Sequence, residues 1–204
     1  MTDKLNDLNG VLLQGHIKIS DPNSGNVIVD KRNAIHYENM SISLAESLGN
    51  GGTGWIYEMS FGNGGTSVDP TGIITYLTPN STGTNASLYN QTYTKVVDDR
   101  SVNNIDPIRN KIETRHISGT NYTDILVSCL LDYGEPAGQD AFDNATDESS
   151  SFIFDELGLR AFSSTGTGRL LTHVIFHPVQ KSLNRLIQVD YTVRVQSLSG
   201  FNEV

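Results

Sequence analysis

The sequence predicts an all-β fold, a mostly antiparallel β-sandwich with one short helix and long loops. Asn, Ser, Thr and Gly supply 75 of the 204 residues and charged residues only 18%, a balance that favours turns and exposed strands over long surface helices. From Ile187 to Gln196, apolar and polar residues alternate strictly. Because side chains on a strand point alternately to opposite faces, this segment is predicted to be a half-buried strand.

The other strands follow from looser alternation between turn-forming residues. In chain order they are predicted at residues 11–20, 26–30, 55–61, 92–97, 111–118, 124–133, 151–154 (leading into 155–159) and 170–179. Segment 124–133 is apolar on both faces, and the glycine turns beside it favour a central strand over a short helix. The short connector 180–185 predicts an antiparallel hairpin between the strands 170–179 and 187–196.

One helix is predicted between residues 33 and 49. Apolar side chains recur there at spacings of three and four, at Tyr37, Met40, Leu44 and Leu48. Asn33 is the predicted N-cap and Gly49 the predicted C-cap, because these residue types satisfy the free backbone groups at helix ends.

The chain is expected to form one domain with an extension. Residues 1–10 are predicted to be an N-terminal arm and residues 11–204 a single β-sandwich domain, with long loops at 62–90 and 136–151. The apolar runs on either side of these loops are too short to fold alone. Loops of this length usually carry function or pack against another subunit.

Charge and hydropathy exclude several classes of partner. The net charge of −9 and the pI near 4.9 disfavour nucleic acid and anionic membranes, which attract an excess of Lys and Arg. No apolar run approaches 18 residues, and the polar start lacks a signal-peptide core, so neither membrane spanning nor export is expected. The single cysteine, Cys129, is predicted to be a buried apolar residue and not a nucleophile.

Two glycine clusters are candidates for a phosphate-binding loop. The pentapeptide Gly-Asn-Gly-Gly-Thr occurs at 49–53 and again at 62–66. A phosphate-binding loop would need a lysine at a set position, and neither cluster contains one. Both are therefore predicted to be tight turns that require positive φ, one on each side of the strand 55–61.

The histidines do not indicate a metal site. His173 and His177 are four residues apart on a predicted strand, which separates them by about 13 Å at the rise of an extended chain. They cannot share one ion at that distance. The other histidines, His16, His36 and His116, have no local partners that indicate a site.

The acidic residues are predicted to lie in solvated loops or to face apart. Asp155 and Glu156 are adjacent on a strand and are expected to face opposite sides, so they predict no acid–base pair. The remaining clusters do not match an EF-hand, although a Ca²⁺ shared between subunits is an alternative; they are Asp98 with Asp99, and Asp140, Asp143, Asp147 and Glu148. No catalytic, cofactor-binding or metal-binding residue is therefore assigned.

Four short motifs carry a resemblance to a known class of proteins. They are Met-Ser-Phe-Gly-Asn-Gly-Gly-Thr at 59–66, Phe-Asp-Glu-Leu-Gly-Leu at 154–159, the run 170–181 that ends in Pro-Val-Gln-Lys, and the alternating strand 186–195. Their order resembles that in tailed-bacteriophage virion proteins, namely neck, baseplate and tail-fibre-attachment components. The resemblance spans residues 54–196 and supports this broad class, not one named protein.

The resemblance implies a non-enzymatic structural subunit of the virion, assembled in the host cytoplasm. Such a subunit would form a homo-oligomer, dock on neck, tail or baseplate proteins, and use no cofactor, nucleic acid or membrane. A capsid decoration protein is one alternative. Another is a carbohydrate-binding module of a receptor-binding protein, for which the candidate aromatics are Trp55, Tyr57, Tyr76, Tyr89 and Tyr93. An enzyme is the least favoured class.

Overall fold

The computed structural model describes residues 10–138 and 152–198, where it contains eleven β-strands and one α-helix. The predicted N-terminal arm up to residue 9 and most of the predicted loop 136–151 lie outside this part. In chain order the elements are β1 (Gly10–Ser20), β2 (Val27–Ile35), α1 (Tyr37–Leu48), β3 (Ile56–Gly62), β4 (Thr66–Val68), β5 (Ile74–Tyr76), β6 (Gln91–Val96), β7 (Lys111–His116), β8 (Tyr122–Leu131), β9 (Ile153–Ala161), β10 (Thr172–Gln180) and β11 (Ile187–Leu198).

Nine of these strands form one hydrogen-bonded sheet. Their order is β6-β3-β9-β10-β2-β1-β11-β8-β7, and β4 and β5 form a separate hairpin inside the long segment 62–90. All of these pairings are antiparallel. The all-β, mostly antiparallel class is therefore confirmed. The finer prediction of a sandwich of two sheets is not confirmed, because the hydrogen bonds connect all nine strands.

The sheet consists of two halves that meet at a narrow junction. Strands β10 and β2 share two residue pairs there, Thr172 with Ile35 and His173 with Ala34. The sheet curls around a single core, which takes residues from strands as far apart in the order as β3 and β8. Met59 and Cys129 both belong to that core.

The predicted hairpin between the last two strands is wrong. Strand β10 pairs with β9 and β2, whereas β11 pairs with β1 and β8. Both edges of β11 are occupied along its length, so β10 has no free edge to join. The connector between the observed strands, residues 181–186, crosses between the two halves of the sheet, and Lys181 is buried.

The helix is confirmed, but its N-cap is not the predicted one. Gly49 ends α1 and donates its N–H to the carbonyl of Ala45, as expected for a C-cap. At the start, His36 is the N-cap, and its side chain accepts the N–H of Asn39. Asn33 instead lies in β2, where its side-chain amide donates to the Tyr191 hydroxyl.

Strand β9 is buried at all nine of its residues. Phe154 and Leu157 are three positions apart, so strict alternation would place them on opposite faces of the strand. Both belong to the core, and the alternation is therefore interrupted between them. As a result, the side chains of both intervening residues, Asp155 and Glu156, reach the segment 62–90.

The close packing of β9 against β10 predicts that Gly158→Ala destabilises the fold. A Cβ at position 158 would lie 2.3 Å from the Thr172 carbonyl oxygen. We expect the free energy of unfolding to fall by about 1–3 kcal/mol, the usual cost of overpacking, in urea denaturation followed by circular dichroism. Gly134→Ala is the matched control, because no atom lies within 4 Å of that Cβ. Equal stability of the two variants would contradict the packing described.

Candidate functional site

The second glycine cluster binds the carboxylates of β9. Asp155 accepts hydrogen bonds from the backbone N–H of Gly65 at 2.9 Å and of Thr66 at 2.8 Å, and also from the Thr66 hydroxyl. The amides of this loop therefore cradle an anion, as glycine-rich loops often do. The anion belongs to the protein's own buried strand.

Glu156 collects four donors around one buried carboxylate. Its Oε1 accepts the backbone N–H of Asn90 at 2.8 Å and of Gly64 at 3.2 Å. Its Oε2 accepts the N–H of Tyr89 at 2.9 Å and lies 2.9 Å from Nε2 of His173. Contrary to the sequence expectation, Asp155 and Glu156 thus bind the same segment and do not face apart.

The two glycine clusters have different roles. At the first, positive φ is present at Asn50 and Gly52, as predicted for a turn. At the second, Gly62 and Gly64 do not have positive φ. There a Cβ would lie 2.5 Å from the Glu156 carboxylate or 2.7 Å from the Asn90 amide nitrogen. The second cluster therefore needs glycine for close approach, and the prediction of positive φ is wrong for it.

His173 is completely buried and uses both ring nitrogens. Its Nδ1 accepts the backbone N–H of Asn80 at 2.8 Å, so the proton belongs on Nε2, which donates to Glu156. A ring bonded on both sides has no nitrogen left to exchange a proton with a substrate. His177 is exposed, and its Nδ1 lies 3.2 Å from the Tyr76 hydroxyl. His173 therefore bonds inside the fold, whereas His177 lies at the surface.

Burial and hydrogen bonding shift the two carboxyl pKa values in opposite directions. For Glu156, burial raises the pKa, but the hydrogen bonds from His173 and from the Asn90 and Tyr89 amides outweigh it and leave the pKa below its ordinary value. For Asp155, burial dominates and raises the pKa, despite the donors from Thr66 and Gly65. Neither carboxyl is exposed, and both accept hydrogen bonds from backbone N–H groups of the protein itself.

A buried arginine completes the charged set on β9. Arg160 donates from Nε to the Ser60 hydroxyl, from Nη1 to the Gly168 carbonyl, and from Nη2 to Ser87 and Gln91. Burial lowers its pKa. The guanidinium ties the end of the segment 62–90 to the strands β3 and β6.

The described residues contain no group of three or more His, Cys, Asp or Glu side chains arranged to hold a metal ion. The acidic residues from Asp140 to Glu148 lie outside this part of the chain. Burial raises the pKa of the Cys129 thiol to about 12, which opposes the thiolate form. Within the described residues, α1 is not long and apolar enough to cross a membrane, and no other helix is present there.

The loop between β6 and β7 carries exposed aliphatic side chains. Val102, Ile105 and Ile108 are 98%, 80% and 82% exposed. Hydrogen bonds fix the backbone between them: the buried Asn104 donates to the Asp98 and Asn110 carbonyls. We call Val102, Ile105 and Ile108 the aliphatic loop. Our sequence analysis missed it, although three β-branched residues at regular spacing among Asn and Asp are a visible signal.

A cavity of about 680 Å³ lies on the inner side of the curled sheet. Its walls come from α1, from β1, β3, β7, β8 and β11, and from Phe162 and Leu171. Most of these side chains are apolar, and Trp55 and Asp98 also line the cavity. Cavities of this size and composition are typical of small-molecule sites.

Comparisons with protein families, with curated proteins and with solved structures found no match for this chain. The function is therefore argued from the chemistry of the described residues. Those residues form three features: a buried network of charged side chains whose hydrogen bonds are to the protein itself, an exposed apolar loop, and an apolar cavity.

The four donors around Glu156 predict that Glu156→Gln is strongly destabilising. The carboxamide would turn an N–H₂ group towards backbone N–H donors and leave at least one buried donor without an acceptor. We expect a loss of about 2–4 kcal/mol in the free energy of unfolding, measured by urea denaturation. Glu113→Gln, which removes an exposed ion pair with Lys111, is the control and should cost less than about 0.5 kcal/mol. Similar losses in both variants would argue against the network.

The lowered pKa of Glu156 predicts that its stabilisation is lost in acid. A carboxyl with a folded pKa below its unfolded value contributes stability fully above the unfolded value, here near 4.5, and loses it as the pH falls through the folded pKa. Asp155 has the opposite sign, because its folded pKa is raised. The difference in unfolding free energy between wild type and Glu156→Gln should therefore shrink from about pH 7 to about pH 3. A difference that is constant with pH would contradict the assignment.

Proposed function

We propose that this protein is a non-enzymatic structural subunit of a tailed-phage virion, which assembles as a homo-oligomer at the neck, baseplate or tail-fibre attachment. The order of the four sequence motifs suggests the class. The observation that supports assembly most directly is the aliphatic loop, because three exposed aliphatic side chains close together in the chain, on a backbone fixed by hydrogen bonds, favour a protein–protein contact.

Hydrogen bonds order the aliphatic loop and its surroundings in the unbound protein. Asn110 bonds to the backbone of β8 through Leu130, and Asp98 accepts the indole N–H of Trp55. Because the backbone is already ordered, association does not have to fix it again. Burial of one Val or Ile side chain contributes about 1.5–3 kcal/mol, so the three together would supply part of the free energy of a larger contact.

The sheet edges and the net charge set the character of the assembly. Strands β6 and β7 are the two edges of the nine-stranded sheet, and β7 carries Lys111, Glu113 and Arg115. Charged side chains on an edge discourage uncontrolled strand addition. Each copy carries a formal charge of −9, so copies repel one another and apolar contacts must drive association.

Carbohydrate binding is a second candidate, favoured by aromatic rings held in exposed positions. Tyr76 and Tyr89 are both exposed, and their hydroxyls bond to His177 and to the Thr78 carbonyl. Of the other aromatic candidates, Trp55 is also exposed, whereas Tyr57 and Tyr93 are half-buried. A glycan array on which the protein binds no glycan would exclude this candidate. Imaging of particles would distinguish a neck or tail location from a decoration protein on capsid faces.

The aliphatic loop predicts that Val102→Thr, Ile105→Thr and Ile108→Thr together weaken self-association. We expect the dissociation constant of the oligomer to rise at least about tenfold, measured by sedimentation velocity over a range of concentrations. The matched control replaces three exposed aliphatics elsewhere, Val27→Thr, Ile73→Thr and Ile117→Thr, and should leave association unchanged. A wild-type chain that stays monomeric and is absent from purified particles would overturn the proposal.

A further inference from the structure

The charged residues that line the cavity leave it with one net negative charge. They are two carboxylates, Asp98 and Asp99, and one guanidinium, Arg100. The other described residues of the lining are uncharged and mostly apolar, as at Ile112 and Ile125. The volume of about 680 Å³ is within the range of sites that bind drug-sized molecules. This combination of charge and apolar surface is complementary to a cation with an apolar body.

Asp98 holds one of these negative charges in a buried position. The residue is 9% exposed. Its Oδ2 accepts the indole N–H of Trp55 at 3.0 Å, and its Oδ1 accepts the backbone N–H of Arg100 at 3.0 Å. Both donors are neutral, so they orient the carboxylate and leave its charge in place. Because charges interact more strongly out of water, this carboxylate favours a cation in the cavity beside it.

The indole of Trp55 offers a second group that attracts cations. One face of the ring stacks on Phe162, with centroids 4.6 Å apart and planes 7° apart, and the N–H edge is bonded to Asp98. The side chain is nevertheless 41% exposed, so the exposed area belongs to the opposite face and the remaining edge. The face of an indole is electron-rich and is the aromatic surface that binds cations best. Solvent therefore reaches this face directly.

We propose that this cavity binds an organic cation, a substituted ammonium group on an apolar body. The ammonium group contacts the open face of Trp55, where the charges of Asp98 and Asp99 attract it, and the body contacts the apolar lining. The net charge of −9 adds a long-range attraction for cations. The inference goes beyond the proposed assembly, because none of the described lining residues belongs to the aliphatic loop.

Trp55 makes the first test direct, because it is the only tryptophan of the chain and lines the cavity. Titration of the full chain with octyltrimethylammonium, below the concentration at which it forms micelles, should change the intensity and emission maximum of the fluorescence saturably. Octan-1-ol and octanoate, which have alkyl chains of similar length, should bind at least about threefold more weakly. The absence of a saturable change, or equally tight binding of the alcohol or the carboxylate, would overturn the proposal.

Two exposed charges provide variants that should change the affinity in opposite directions. Asp99→Asn should raise the dissociation constant of octyltrimethylammonium about two- to fivefold, and Arg100→Gln should lower it by a similar factor. The matched control is Glu113→Gln, which changes the net charge as Asp99→Asn does. Glu113 lies on β7 between two lining residues, Ile112 and Thr114, and therefore on the other face of the sheet. An equal effect of Glu113→Gln, or weaker binding by Arg100→Gln, would contradict a local cation site.

Trp55→Leu separates the binding of the charge from the binding of the apolar body. Leucine keeps an apolar side chain at this position but has no aromatic face. In isothermal titration calorimetry, the variant should weaken the binding of octyltrimethylammonium about three- to tenfold more than that of octan-1-ol. Its circular dichroism spectrum should match that of the wild type. If both ligands lost affinity equally, the indole would contribute only apolar contact, and the proposed cation site would be wrong.

Discussion

Three charged side chains on one buried strand hold this structure together. Asp155, Glu156 and Arg160 lie on β9, whose nine residues are all buried, and burying a charge is costly unless hydrogen bonds replace its water. The backbone amides of the second glycine cluster and of residues 89–90 supply those bonds to the carboxylates. If the segment 62–90 separated from β9, the two carboxylates would lose the hydrogen bonds that compensate for their burial. Through His173, the same network reaches the narrow junction between the two halves of the sheet.

The sequence predicts what depends on local pattern. Alternation located the half-buried strands, and the spacing of Tyr37, Met40, Leu44 and Leu48 located the helix. Alternation reports which face of a strand is buried but does not identify the strand beside it, so the pairing of β10 with β9 and β2 could not be derived. The two identical pentapeptides make the same point. One is a turn, and the other holds carboxylates about ninety positions away, and no local rule separates them.

The aliphatic loop and the cavity also depend on tertiary structure, so local sequence pattern does not predict them. Val102, Ile105 and Ile108 recur at a spacing that would equally suit a buried helical stripe, and only the folded chain shows them exposed. The cavity exists because the sheet curls without closing, which no segment alone encodes. Ser43 lies on the helix face that the sequence marks as apolar, and its buried hydroxyl has no hydrogen-bond partner among the described residues.

The pairing of the first described strand with the last has a consequence for biosynthesis. Strand β1 runs beside β11 from Gly10 opposite Leu198 to Ser20 opposite Gln188. On the ribosome, β1 can pair early with β2, but its other edge remains unpaired until residues 187–198 have been made. Pairings of such long sequence separation form slowly, because loop closure must precede the contacts that reward it. Until β11 emerges, the nascent chain exposes an unpaired strand edge, which is a site where other chains can add and aggregate.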